Sequence, residues 1–298
     1  MGKAARLLRL RRHGAYAPRV PGLSEIVFLL FLLLFLVPMV SQRVLASRRY
    51  RAIQKLERVR GSRVITLIHR QESVSLLGIP LRRFIDVEDS EAVLRAIRLT
   101  PDTVPIDLVA HTPGGLVLAS EQIARALHRH PARVTVIVPH YAMSGGTLLA
   151  LAADEIVMDE NAVLGPVDPQ VGQWPAATII NVAALKPLER VDDETLMLAD
   201  LARKAQSQIR DFVMSVLGDD FPEDRAQYLT NELSSGKWTH DYPLTVETLV
   251  GLGLPVTTNL PVEAFELMDL YPQVGRQRPS VQYVPVPYTD PAPPAGKE

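Results

Sequence analysis

Residues 134–153 read VTVIVPHYAMSGGTLLALAA: a β-branched run, a short polar break, a serine followed by two glycines, and a stretch of small and aliphatic residues. The first five positions suit a strand buried on both faces, and the last ones suit a helix packed closely against its neighbours. Ser144 therefore stands where a strand gives way to a helix, flanked by residues small enough for a tight turn. Such a turn is where a nucleophilic hydroxyl is best exposed. It is not the elbow of the α/β-hydrolases, which needs glycine two positions before the serine, where this chain has Ala142. By itself Ser-Gly-Gly marks a helix cap more often than a nucleophile.

Working outward, residues 106–128 read IDLVAHTPGGLVLASEQIARALH, a second strand that runs through a Pro-Gly-Gly turn into a second helix. Paired glycines at a helix entry reach dihedrals closed to other residues. Gly114 and Gly115 can thus turn backbone N–H groups toward a developing oxyanion, with the helix N-terminus adding a favourable dipole. Further strands are predicted at 64–68 and 155–158, and further helices at 90–99 and 193–217, beside those at 116–128 and 145–153. Strands alternating with amphipathic helices predict an α/β domain with a largely parallel sheet over residues 64–270.

The N-terminal part differs in kind. The formal net charge of −1 hides an asymmetry, because residues 1–63 hold fourteen Lys/Arg against Glu25 and Glu57 alone, about +12, which leaves about −13 for the rest. The basic residues flank IVFLLFLLLFLVPMV at 26–40, an apolar run with no polar face. That pattern predicts a basic tail at 1–24, an uncleaved membrane-anchor helix at 25–41 and a basic connecting helix at 42–63. Lipid, rather than nucleic acid, is the expected partner of the basic flanks, since no aromatics are interleaved with them. Eight Lys/Arg follow the run before Val64 and six precede it, which places the C-terminal part in the cytoplasm. Residues 271–298 contain seven prolines and no apolar periodicity, so a disordered tail is expected there. Without cysteine the chain has no thiolate nucleophile, disulfide or Cys-ligated metal, and no His/Asp/Glu spacing resembles a metal site.

Taken together, HTPGGLVLASEQIARAL at 111–127 and VPHYAMSGGTLLALAADEIVMDENAVLGPVDPQ at 138–170 resemble the Clp-protease/crotonase superfamily. Within it they are similar to the membrane-bound serine dehydrogenase proteinases of the signal peptide peptidase A-like branch. The resemblance covers residues 60–255. It implies a fold of repeated ββα units wound into a spiral, assembly into rings or other homo-oligomers, and serine peptidase chemistry without a cofactor. Ser144 is then the nucleophile, and Gly114, Gly115 and Gly145 form the oxyanion hole, to which the amides of Gly115 and Gly145 contribute. Clp proteases carry a histidine one strand after the serine, where this chain reads LGPVD at 164–168. That departure matches the branch in which a lysine is the base, and the lysine so implied is Lys186, within the apolar stretch AALKP. Burial there is expected to bring it toward neutrality at working pH. His240, beside Asp241, is the secondary candidate for base or substrate contact, while His111 and His140 are each expected to make a local hydrogen bond or to border the peptide groove. Substrates are expected to be polypeptides associated with the membrane. Two alternatives stand beside the peptidase: a crotonase-type acyl-CoA enzyme using the same oxyanion hole, and a non-catalytic oligomeric membrane scaffold.

Overall fold

The structure, a computed structural model, describes residues 22–70, 74–76, 79–81 and 84–271. The expected basic tail, except for its last residues, and the proline-rich tail beyond Tyr271 lie outside them. Two compact units divide between Arg48 and Arg49.

In the first unit, helix α1 (Leu23–Phe31) continues through a π-helical turn at Leu32–Leu36 into α2 (Val37–Arg60), which runs on past the boundary. The apolar run at 26–40 is helical, and Val27, Phe28, Phe31, Leu34 and Phe35 are exposed. The expectation of a membrane-crossing anchor at 25–41 is nevertheless corrected: among the described residues no helix is long and apolar enough to cross a membrane. Fifteen residues at about 1.5 Å each reach about 22 Å, short of a hydrocarbon core of about 30 Å, and Arg43, Arg48 and Arg49 follow soon after.

The second unit is built on β1 (Arg63–Ile68), the hairpin β2 (Val74–Leu76) and β3 (Ile79–Leu81), α3 (Val87–Arg98), β4 (Ile106–His111), α4 (Val117–His128), β5 (Val134–Val138), β6 (Tyr141–Ala142), α5 (Gly145–Leu151), β7 (Glu155–Met158) and β8 (Val163–Leu164). There follow the ribbon β9 (Gln170–Val171) and β10 (Trp174–Pro175), α6 (Ala176–Leu185), α7 (Asp193–Asp220), α8 (Glu223–Ser234), β11 (Leu244–Thr245), α9 (Val246–Gly251), β12 (Val256–Thr257) and α10 (Val262–Asp269). The elements predicted from the sequence in this unit are all present, with their ends moved by a few residues.

Five strands form one parallel sheet in the order β1-β4-β5-β7-β12. Every residue of β4 and β5 is buried, as expected for central parallel strands covered on both faces. Side chains alternate between those faces. Leu108 and Ala110 enter the main core with residues of α3, α4, α5 and α7, whereas Val109, Ile137 and Val157 pack with Leu56 of α2 and with Ala264, Leu267 and Met268 of α10. A small second sheet, β11-β8-β6, stands at the C-terminal ends of the parallel strands, and a bridge between Thr112 and Ala142 extends it toward β4. The segment β5-β6-α5 reads strand, short strand, helix, whereas β4 leads into α4 with no intervening strand. A separate minor core joins Ala176 and Ile179 of α6 to Ala199 and Ala202 of α7.

Candidate active site

Ser144 occupies the position before α5 with φ 49° and ψ −112°, and it is the only described non-glycine residue with positive φ. A conformation of this kind costs about 1–3 kcal/mol and persists only where the surroundings enforce it. They do so here. The Met143 N–H donates to the Thr112 carbonyl at 2.9 Å, the Gly146 N–H to Met143 at 2.7 Å and the Thr147 N–H to Ser144 at 2.9 Å. The buried Thr147 hydroxyl lies 2.9 Å from the carbonyls of Ala142 and Gly165 and accepts the Gly165 N–H, which ties the turn to the end of β8. The glycines after the serine are sterically required. A Cβ on Gly146 would lie 2.7 Å from Thr112 Cγ2, and one on Gly145 would lie 2.2 Å from Ser120 Oγ, a buried hydroxyl of α4 with no hydrogen-bond partner among the described residues.

The Pro-Gly-Gly turn lies directly against this elbow. Gly114 has φ +97°, and a Cβ there would meet Ser144 Cβ and Met143 O at 2.9 Å. Gly115 crosses the backbone of Ile85 so closely that a Cβ would come within 2.2 Å of the Ile85 carbonyl. The Gly114 N–H donates to Thr112 Oγ1 at 3.1 Å, so this glycine shapes the turn and has no amide to spare. The N–H groups of Gly115 and Gly145, in contrast, donate to no acceptor among the described residues. They are also neighbours, since a Cβ on Gly145 would lie 3.5 Å from the Gly115 nitrogen.

Both amides open onto a cleft of about 330 Å³ that Ser144 also lines. Its apolar wall includes Phe84, Val117, Leu148, Val167 and Ile209, and its polar wall includes Asp168, Gln170 and His240. Asp168 is buried, with His240 Nδ1 2.8 Å from one carboxylate oxygen and Gln170 Nε2 donating to the other at 2.9 Å. The hydrogen bond to Asp168 raises the His240 imidazole above its ordinary value of 6.5, against the opposing cost of burial and with the Asp168 charge assisting. A carboxylate-held histidine lining the same cleft as a serine can take and return the hydroxyl proton when the two come within hydrogen-bond reach.

The site differs from the sequence reading in four places, the first being Gly114, expected in the oxyanion hole but with its N–H given to Thr112 Oγ1. Lys186, expected to be buried, is exposed at the end of α6 beside Leu185, which is 84% exposed, and it does not line the cleft. The neighbours Ala184, Leu185 and Pro187 are themselves exposed, so they provide no shelter. A histidine does line the cleft: His240, in a loop 72 residues beyond Asp168, is held by that buried carboxylate, a partner the sequence does not announce. His111 makes no side-chain hydrogen bond among the described residues and does not line the cleft: its ring is fully buried and stacks 5.7 Å from His140. Burial, then the charges of Arg70, His140 and His69, push it down to about 3.

The contact between Gly145 and Ser120 yields a direct expectation. Gly145→Ala should cut turnover by roughly a hundredfold, the loss associated with one displaced oxyanion donor, because the new methyl must push against Ser120. Adding Ser120→Gly should recover part of that loss. A double variant no better than the single one would show that the methyl acts elsewhere.

The family model described as ClpP-like SDH-type serine proteinase matches residues 16–295. The chain belongs to this family. Two uncharacterized proteins of Methanocaldococcus jannaschii are similar over most of their length. MJ1495 is 56% identical over 262 residues, 88% of this chain and 89% of that one, and MJ0137 is 54% identical over 264 residues, 89% and 92%. Among solved structures, a ClpP1 variant from Listeria monocytogenes aligns with 71% of this chain and 98% of its own at 15% identity and a TM-score of 0.44. Membership puts a serine proteinase fold around the cleft.

Proposed function

We propose that this protein is a serine peptidase in which Ser144 attacks a peptide carbonyl, the amides of Gly115 and Gly145 hold the tetrahedral oxyanion, and His240, oriented by Asp168, moves the proton. Water then releases the acyl group from Ser144 by the same route. The observation that carries this reading is the sharing of one cleft by a strained serine, two unengaged amides and a carboxylate-bound histidine. The apolar wall formed by Val117, Leu148, Val167 and Ile209 supports substrates with an apolar side chain next to the scissile bond. Labelling the purified protein with a fluorophosphonate and identifying the modified residue tests it directly, and a label anywhere but Ser144 would overturn it. The Ser144–Lys186 dyad implied by the signal peptide peptidase A-like resemblance is the competing assignment of the base.

The Asp168–His240 pair makes activity and stability respond oppositely to pH. A histidine must be neutral to accept the serine proton, so turnover should rise with pH through a single ionisation above 6.5 and far below the lysine range near 10.4. Because the folded-state value is raised, the pair's contribution to stability is fully present below about pH 6.5 and is lost as pH rises through the folded value. Asp168→Asn should shift the activity limb to lower pH, reduce the plateau by up to about ten-thousandfold and flatten the stability profile in that window. An unshifted limb would place the titrating base elsewhere.

Membrane attachment through residues 23–44 and assembly into homo-oligomers belong to the same reading. Exposed Phe28, Phe31, Leu34 and Phe35 beside Arg43 and Arg48 support a lipid contact of the first unit, and exposed Val182, Leu185, Leu188, Met197 and Leu201 support a self-association surface around α6 and α7. Removal of residues 1–48 should shift the protein from the membrane pellet to the supernatant. Full-length protein that a salt wash alone releases would count against insertion of the apolar face.

A further inference from the structure

The Pro-Gly-Gly turn has a support that reaches outside the cleft and that none of the chemistry above employs. Thr112, fully buried, immediately precedes the turn, and its hydroxyl oxygen accepts the Gly114 N–H at 3.1 Å. The same oxygen lies 3.0 Å from Nδ1 of His69, a buried residue just past β1 whose own N–H donates to the His111 carbonyl at 2.7 Å. His69 Nε2 is 3.1 Å from Oδ2 of Asp89 in the first turn of α3, and that carboxylate oxygen also accepts the Asp86 N–H at 3.0 Å.

A carboxylate only accepts, so Nε2 of His69 carries a proton toward Asp89. With the ring neutral, Nδ1 accepts from the Thr112 hydroxyl; with the ring protonated, Nδ1 donates to it and the Thr112 hydrogen turns to the Gly114 carbonyl 3.4 Å away. In both states His69 orients the hydroxyl, and a lone pair of Oγ1 is presented to the Gly114 N–H. On the other side of Gly114, its carbonyl accepts the Ile85 N–H at 2.8 Å. A trans peptide points its C=O and N–H in opposite directions, so this second contact aims the Gly115 N–H away from Ile85 and toward the cleft. Both peptide planes that meet at Gly114 are thereby held, which fixes the one residue whose φ of +97° allows the turn to rotate.

We propose that His69, backed by Asp89, is a positioning residue for the oxyanion turn: it orients the Thr112 hydroxyl and through it the peptide that presents the Gly115 N–H. The proposal rests on the role given to Gly115 above. It predicts a loss in the chemical step with little change in binding, because no atom of His69 lines the cleft.

The test uses the full chain and a fluorophosphonate probe, with the maximal labelling rate and the probe's half-saturating concentration measured separately. His69→Ala and Thr112→Val should each slow maximal labelling of Ser144 by about ten- to a hundredfold, the scale of a misplaced reacting group, and leave half-saturation within about twofold. Combining them should be no worse than the slower single variant, since both break one chain. Thr112→Ser, which keeps the hydroxyl, should stay near the wild-type rate. Wild-type labelling by His69→Ala, or fully multiplicative losses in the double variant, would overturn the proposal. If His69→Ala fails to fold, Thr112→Val decides alone, because His69 acts only through that hydroxyl and an unchanged rate there overturns it as well. A wild-type protein that never labels Ser144 removes the peptidase reading itself, an outcome distinct from all of these.

Discussion

Ser144→Ala is expected to abolish peptide hydrolysis, with turnover falling by about a millionfold, the scale reached when the nucleophile of a serine peptidase is removed. Ser144→Gly should be as inactive and yet more stable. At φ 49° glycine is at ease, whereas alanine retains the strain of an L side chain in the left-handed region. A difference of about 1 kcal/mol between the two variants in urea unfolding would report that strain. Undiminished turnover in the alanine variant would end the assignment of Ser144. Equal stabilities would mean that the elbow relaxes in solution and stores nothing.

The second large effect separates the two candidate bases. His240→Ala should lower turnover by about ten-thousandfold or more, while Lys186→Ala and Lys186→Arg should remain within a fewfold of wild type. The contrast follows from placement: His240 shares the cleft with Ser144 and is held by a buried carboxylate, whereas Lys186 stands exposed at the end of α6. Steady-state hydrolysis of a fluorogenic peptide with an apolar residue before the scissile bond would read both variants in one assay. A dead arginine variant beside an active His240→Ala would reinstate the Ser-Lys dyad, and it would require that assembly carry Lys186 into the site.

Legibility in the sequence followed the range of the interactions involved. The central strands and the helices between them were readable because β-branched runs and helical periodicity are local properties, and because parallel strands buried on both faces leave an uninterrupted apolar signature. Two- and three-residue strands such as β6, β8 and β11 are too short for any period to register. Ser144 and the Gly114-Gly115 turn stood out because tight backbone geometry demands particular residues at adjacent positions. The pairing of Asp168 with His240 is set by tertiary folding across 72 residues, so nothing local announced it. Lys186 misled for the same reason. Its neighbours in sequence are apolar, but hydrophobic neighbours shelter a charge only when they are themselves buried, and Leu185 is not.

Helix α7 carries a mechanical consequence. Its 28 residues form one uninterrupted rod about 42 Å long. Ala199 and Ala202 near one end belong to the minor core with α6, while Ile209, Phe212, Val213 and Val216 further along are embedded in the main core, and Ile209 reaches the wall of the cleft. A helix bends slightly but does not shorten. Any load placed on the α6 end is therefore delivered to the cleft wall as tilt about the embedded segment, in the manner of a lever on a fulcrum.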